Sequence, residues 1–196
     1  SFSQRSYLNF TKKTLHLIPD LSLSQLLIEN MRGGFSGVLN KVSENLKFDE
    51  NKMIWYLDVN NLYGFAMIQK LANKYIGQFD FSPELLKEME GNKNNDFAYF
   101  LLIDYIIPEK FHDKLEKFPP LISKKTIENK DVSSYNKSIK FCETGKDLIS
   151  AYKSTKLCAT LENGENYLCD YDNYLLYKEV GYEITIKAVF KFECEY

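Results

Sequence analysis

The run Met53-Ile54-Trp55-Tyr56-Leu57 constrains the fold more than any other part of the chain. Five apolar residues, two of them aromatic, are too few for a typical helix and dense enough for a strand buried on both faces. The run closes on Asp58, and after Val59-Asn60-Asn61 apolar residues continue at helical density to about Leu71. A carboxylate at the carboxyl end of a buried strand lies where a sheet opens to solvent, a usual place for ligands and metals. Spacing alone favours a plainer role, with Asp58 or Asn60 capping the following helix.

A chain of 196 residues holds one domain with a real core, or one domain carrying an insertion. Net charge of −2 and a pI near 5.8 argue against a typical nucleic-acid binder, which is usually basic. Cys142, Cys158, Cys169 and Cys194 form no CxxC pair, and His16 and His112 stand apart from them, which speaks against a zinc site. Reduced thiols in an intracellular protein are the expectation. Neither a long uncharged apolar segment nor a signal-peptide pattern is present, so no membrane contact is expected.

Along the chain, Thr14 to Ile18 reads as a short strand. Leu23, Leu26, Leu27 and Met31 recur at helical spacing behind Asp20 or Ser22 as cap. Arg32-Gly33-Gly34 then reads as a glycine helix stop. Phe35 to about Val42 predicts a strand, and Glu44 to Lys52 a polar turn into the central run. Pro83 to Met89 predicts a short helix, residues 91–95 a loop, and Phe97 to Ile107 a strand whose Asp104 faces solvent or a partner. Pro108 predicts a helix to about Phe118, stopped by Pro119-Pro120, with His112 on its surface.

Lys124 to Thr144 is polar and reads as a long loop. Leu157 to Leu161 and Asn166 to Cys169 flank Asn163-Gly164, a strong hairpin signal. Asp170 or Asp172 caps a helix through Val180, ended by Gly181. Tyr182 to Glu195 alternates as a strand with Ile184, Ile186, Ala188, Phe190 and Phe192 on one face.

The octet Leu57-Asp58-Val59-Asn60-Asn61-Leu62-Tyr63-Gly64, followed by Phe65-Ala66-Met67, resembles motif A of family-B DNA polymerases. Within that family it is most similar to the protein-primed branch of linear plasmids, viruses and Maverick/Polinton-type elements. The resemblance implies that Asp58 is catalytic and binds magnesium ions. Tyr63 would stack under the incoming sugar and exclude a 2′-hydroxyl. Val59, Asn60, Asn61, Leu62 and Tyr63 would bind the nucleotide triphosphate. Arg32, Gly33 and Gly34 resemble the Tyr-x-Gly-Gly loop ahead of motif A, although its aromatic is absent here, and would contact the DNA strand. Glycines let backbone approach a phosphate closely, and the arginine adds charge.

The segment from Lys156 through the Asn163-Gly164 turn to Phe192 resembles the insertion after motif A that the phage enzymes use to hold terminal protein and DNA. Where many relatives have His-Tyr-Arg-Asn, this chain has Asp170-Tyr171-Asp172-Asn173, with acids in place of a basic pair. Two-metal nucleotidyl transfer needs at least two carboxylates around ions ~3.5–4 Å apart, and a cation for the triphosphate. The family's second aspartate and its lysine helix have no counterpart in residues 1–196. Asp170-Tyr171-Asp172 has the Asp-x-Asp shape but stands before a helix in the wrong region.

The expectation is therefore an α+β fold. A palm-type antiparallel sheet with flanking helices would draw on strands near 35–42 and 52–58, and an α/β insertion would follow. Residues 1–72 would form the palm portion and 73–196 the insertion region with its returning strand. The function implied by resemblance is that of a fragment of a DNA-directed DNA polymerase, inactive alone, with Mg2+ as cofactor. DNA template and primer, a deoxynucleotide and a terminal priming protein would be its partners. Two rival readings remain: a non-catalytic DNA- or protein-binding module, and an unrelated α+β domain in which Asp58 only caps a helix.

Overall fold

A computed structural model describes residues 10, 16–34, 55–135 and 153–196. The fold is α+β, with an antiparallel sheet of four strands. In chain order the regular elements are α1 (Leu21–Asn30), α2 (Leu62–Met67), β1 (Leu71–Phe79), α3 (Pro83–Gly91) and β2 (Phe97–Ile106). They continue with α4 (His112–Leu115), β3 (Ile122–Glu128), β4 (Lys153–Ala159), β5 (Gly164–Asp170), α5 (Tyr171–Glu179) and β6 (Glu183–Glu195). The chain divides into two compact units: residues 1–30, 43–108 and 163–196 form the first, and residues 31–42 and 109–162 the second.

The first unit is built on the sheet order β1-β6-β2-β5, antiparallel throughout. The alternation read in residues 182–195 is the central strand β6. Its Ala188, Phe190 and Phe192 pack with Leu23 of α1 and Leu168 of β5 to form a core on one face. Asp20 starts α1 by accepting from the Ser22 N–H at 2.8 Å. Asn30 at its end accepts from the Leu168 N–H, which ties the helix to β5.

On the opposite face Leu101, Ile103 and Val189 are fully enclosed. There α5 packs against β2 and β5, and tyrosines fill the space. Tyr105 meets Tyr167 edge-on at 5.6 Å, and Tyr177 stacks on Tyr182 at 5.7 Å. Asp170 caps α5 from the Asn173 N–H, and Gly181 takes φ 101° just past its end, both as the sequence predicts. Asp104 stays at the surface, paired with Lys187 at 2.8 Å and accepting from the Asn166 N–H.

Glu88 on α3 accepts from Tyr99 Oη at 2.8 Å and pairs with Lys191 of β6. The bond from Lys191, and then that from Tyr99, hold its carboxyl below the ordinary glutamate value. A depressed folded-state pKa stabilises the fold above the unfolded-state value, and that contribution fades as pH falls through the carboxylate range. Glu88→Gln should therefore make the melting temperature less sensitive to acidification below about pH 4.5. An unchanged slope of melting temperature against pH would remove Glu88 from the acid response.

The second unit carries a two-stranded ribbon, β3 against β4, with Leu115 and Leu121 buried near it. The expected loop over Lys124 to Thr144 is thus corrected: Lys124 to Glu128 belong to β3, and residues 136–144 lie outside the described residues. Lysines masked the strand pattern because much of this ribbon faces solvent.

The expected hairpin at Asn163-Gly164 is corrected as well. Both flanking strands exist, but β4 pairs with β3 and β5 pairs with β2. Gly164 is required by close approach, since a Cβ there would lie 2.6 Å from the Tyr105 ring. Asn163 accepts from the Ile107 N–H at 2.9 Å, so the pair fastens β5 to the end of β2.

Three shorter expectations shift. The helix after the central run stops at Met67, and Leu71 already opens β1. The helix from Pro108 reduces to a 3-10 turn at Glu109–Phe111 and α4. Residues 16–18 are irregular, with Ile18 packed on the core; Thr14 and Leu15 lie outside the described residues. The strand expected at 35–42 and the turn at 44–52 also lie there.

Candidate functional site around Asp58

Residues 55–59 are irregular and open to solvent, where a doubly buried strand was expected. Trp55 is 73% exposed, Tyr56 93% and Leu57 84%. Met53 and Ile54 lie outside the described residues. The sheet that does form is made by β1, β2, β5 and β6, and none of them pairs with this segment. Without a neighbouring strand among the described residues, Trp55 to Leu57 join no ladder and leave their aromatics exposed.

Asp58, Val59, Asn60, Asn61, Leu62 and Tyr63 are all exposed. Asn61 occupies the N-cap of α2 in the left-handed region, at φ 54° and ψ 43°, and its side chain makes no capping bond. Asn accepts this conformation more readily than most residues. The first helical bond runs from the Phe65 N–H to the Asn61 carbonyl at 3.0 Å. Gly64 faces the Asn61 side chain, and a Cβ there would lie 2.4 Å from Asn61 Nδ2. Asn61 and Gly64 thus fit each other across the tight entry to α2. Neither Asp58 nor Asn60 is the cap, which removes the plainer role that spacing favoured.

Arg32, Gly33 and Gly34 leave α1 as irregular chain and belong to the second unit, whereas Asp58 to Tyr63 belong to the first. Neither glycine takes a positive φ, so α1 is not ended by a left-handed glycine. A Cβ on Gly33 would meet Leu157 of β4 at 3.9 Å, so this loop lies beside the ribbon.

Among the described residues no group of three or more His, Cys, Asp or Glu could hold a metal ion. Asp58 by itself is one carboxylate, too few donors for a two-ion centre. Asp170 is committed to Asn173, through its N–H at 2.8 Å and its Nδ2 at 2.6 Å, so the Asp170-x-Asp172 pattern is a helix cap. No helix among the described residues is long and apolar enough to cross a membrane.

A cavity of about 540 Å³ that sequence reasoning missed lies at the start of α5, lined by Lys70, Asn92, Lys93, Tyr171, Asp172 and Cys194 among others. It assembles from α3, β2, β5, α5, β6 and the loops between them, so no local sequence pattern announces it. Lys70 is paired with Asp96, and the lining mixes lysines with Glu90, Asp170 and Asp172, so it selects no ligand charge.

Compared with known proteins, the chain matches no family model, no curated protein and no solved structure.

Proposed function

We propose that this chain is the central piece of a protein-primed family-B DNA polymerase, acting in an intracellular setting. The reading rests on the Asp58–Gly64 octet and on one structural observation that supports it. The apolar run leading to Asp58 has the sequence of a buried strand and no cover among the described residues. Exposed aromatics of this density are characteristic of a surface that another element or partner covers. On this reading the covering strands bring the second metal-binding carboxylate. Asp58 contributes one ligand for Mg2+, Val59 to Tyr63 face the deoxynucleotide, and Arg32 to Gly34 touch the DNA strand. The described residues alone do not make a catalyst.

The test is template-directed primer extension by the native polypeptide with Mg2+. Tyr63→Val should raise ribonucleotide incorporation relative to deoxynucleotide, because the ring that meets a 2′-hydroxyl is gone. Unchanged sugar discrimination would detach Tyr63 from the nucleotide. Extension by purified residues 1–196 that Asp58→Ala abolishes would contradict the need for further carboxylates. A second reading, a non-catalytic binding module, is favoured by Asp58 being the one carboxylate of residues 55–67. It predicts salt-dependent DNA affinity with no metal at Asp58.

A further inference from the structure

Residues 109–162 leave the first unit after Pro108 and return to it at Asn163. Strands β2 and β5 pair across that excursion, with Tyr105 opposite Gly164. Beside the two crossing points the Ile107 N–H donates to the Asn163 side-chain oxygen at 2.9 Å, so a single side chain clasps the end of β2 to the start of β5. Asn163 is exposed, and it is the only asparagine of the sequence that a glycine follows.

An Asn-Gly pair can close on itself. The Gly164 amide nitrogen attacks Asn163 Cγ, the Cγ–Nδ2 bond breaks, and ammonia leaves with the amide proton, which closes a cyclic imide. Water then opens the imide. Addition at Cγ gives aspartate; addition at the main-chain carbonyl gives isoaspartate, with the chain rerouted through Cγ. Negative charge builds on Asn163 Oδ1 during the attack, and the Ile107 N–H already holds that atom at the distance of an oxyanion donor. Gly164 has no side chain to crowd the approach. It is also confined to glycine, since a Cβ there would lie 2.6 Å from the Tyr105 ring.

We infer that Asn163 is a site of spontaneous deamidation, and that isoaspartate there releases the clasp between β2 and β5. The rerouted chain is one carbon longer just ahead of β5, which moves the acceptor away from the Ile107 N–H. Either product also adds a carboxylate to a groove that Asp104, Glu165 and Glu183 already line. Lys187, the cation beside Asp104, is already paired with it, so the new charge is left among like charges. The site belongs to the first unit alone and does not depend on any chemistry at Asp58.

The experiment is incubation of the full chain at mildly alkaline pH, followed by peptide mapping with mass spectrometry and by hydrogen exchange of the fraction that has converted. The peptide holding Asn163 should gain the mass that separates an acid from an amide, ahead of the peptide holding Asn166, which is equally exposed but precedes Tyr167. In the isoaspartate fraction the Ile107 amide should lose its protection from exchange. Asn163→Ser, which has no amide to lose, should show no mass gain at this position. Asn163→Asp adds the charge without rerouting the chain, so it should keep Ile107 protected and lower the melting temperature. An amide intact at Asn163 after a synthetic peptide of residues 160–167 has converted would overturn the site. Conversion at Asn166 as fast as at Asn163 would overturn the part given to Gly164. Unchanged exchange at Ile107 in the isoaspartate fraction would overturn the release of the clasp.

Discussion

Leu101→Ala is expected to destabilise the first unit by about 2–5 kcal/mol, the range for truncating a fully buried leucine. Leu101 is 0% exposed, and across the sheet it pairs with Val189 on β6 and Cys169 on β5. All three face the side closed by α5 and the tyrosines, where rings in edge and stacked contact leave little freedom to collapse into a void. For a chain of this size the loss corresponds to a melting-temperature drop of roughly 4–20 °C. Thermal unfolding followed by circular dichroism measures it. A drop of less than a degree would mean that this face of the sheet is loosely packed, against the burial described above.

The two central strands around that core were legible, each for its own reason. β2 is a dense apolar run between Asn95 and Pro108, and β6, after Gly181, alternates an apolar face with a largely charged one, whereas β1 carried no such signal. Helices α1 and α5 announced themselves through their candidate caps, of which Asp20 and Asp170 serve, and α3 through Pro83, where the structure adds Ser82 as the cap. Pairing was less legible than existence. Asn163-Gly164 carries the composition of a turn, yet Gly164 serves the approach of Tyr105, a contact from more than fifty residues earlier. Strand β3 was missed because a strand facing water carries lysines in place of an alternating apolar set. At the site the octet was legible as a motif, and its left-handed Asn61 was not, because nothing in local spacing distinguishes Asn61 from Asn60 as the start of the helix.

Asp58→Ala is expected to leave stability almost unchanged and to remove catalysis from the native polypeptide. The carboxylate is exposed and caps no helix, and such surface changes usually stay within ~0.5 kcal/mol. On the proposed reading it holds an ion at the reacting phosphate, an interaction with several kcal/mol of transition-state stabilisation. Losing about 4 kcal/mol lowers the rate about a thousandfold. The two readouts together separate a chemical role from a structural one. Asp58→Asn sharpens the distinction, since it keeps the side chain's size and polarity but lacks the charge a metal requires. Full activity in either variant would free Asp58 from the chemistry.

Everything proposed for Asp58 turns on what covers the apolar run before it. The most direct measurement is the intact mass of the native product, read together with the codons beyond position 196. The account predicts a longer polypeptide that carries a strand-borne Asp-x-Asp and a lysine helix, able to bury Trp55 to Leu57 and complete the carboxylate pair. A native product ending at Tyr196 would contradict it, leaving Asp58 without a second carboxylate and a binding role as the better account of the chain.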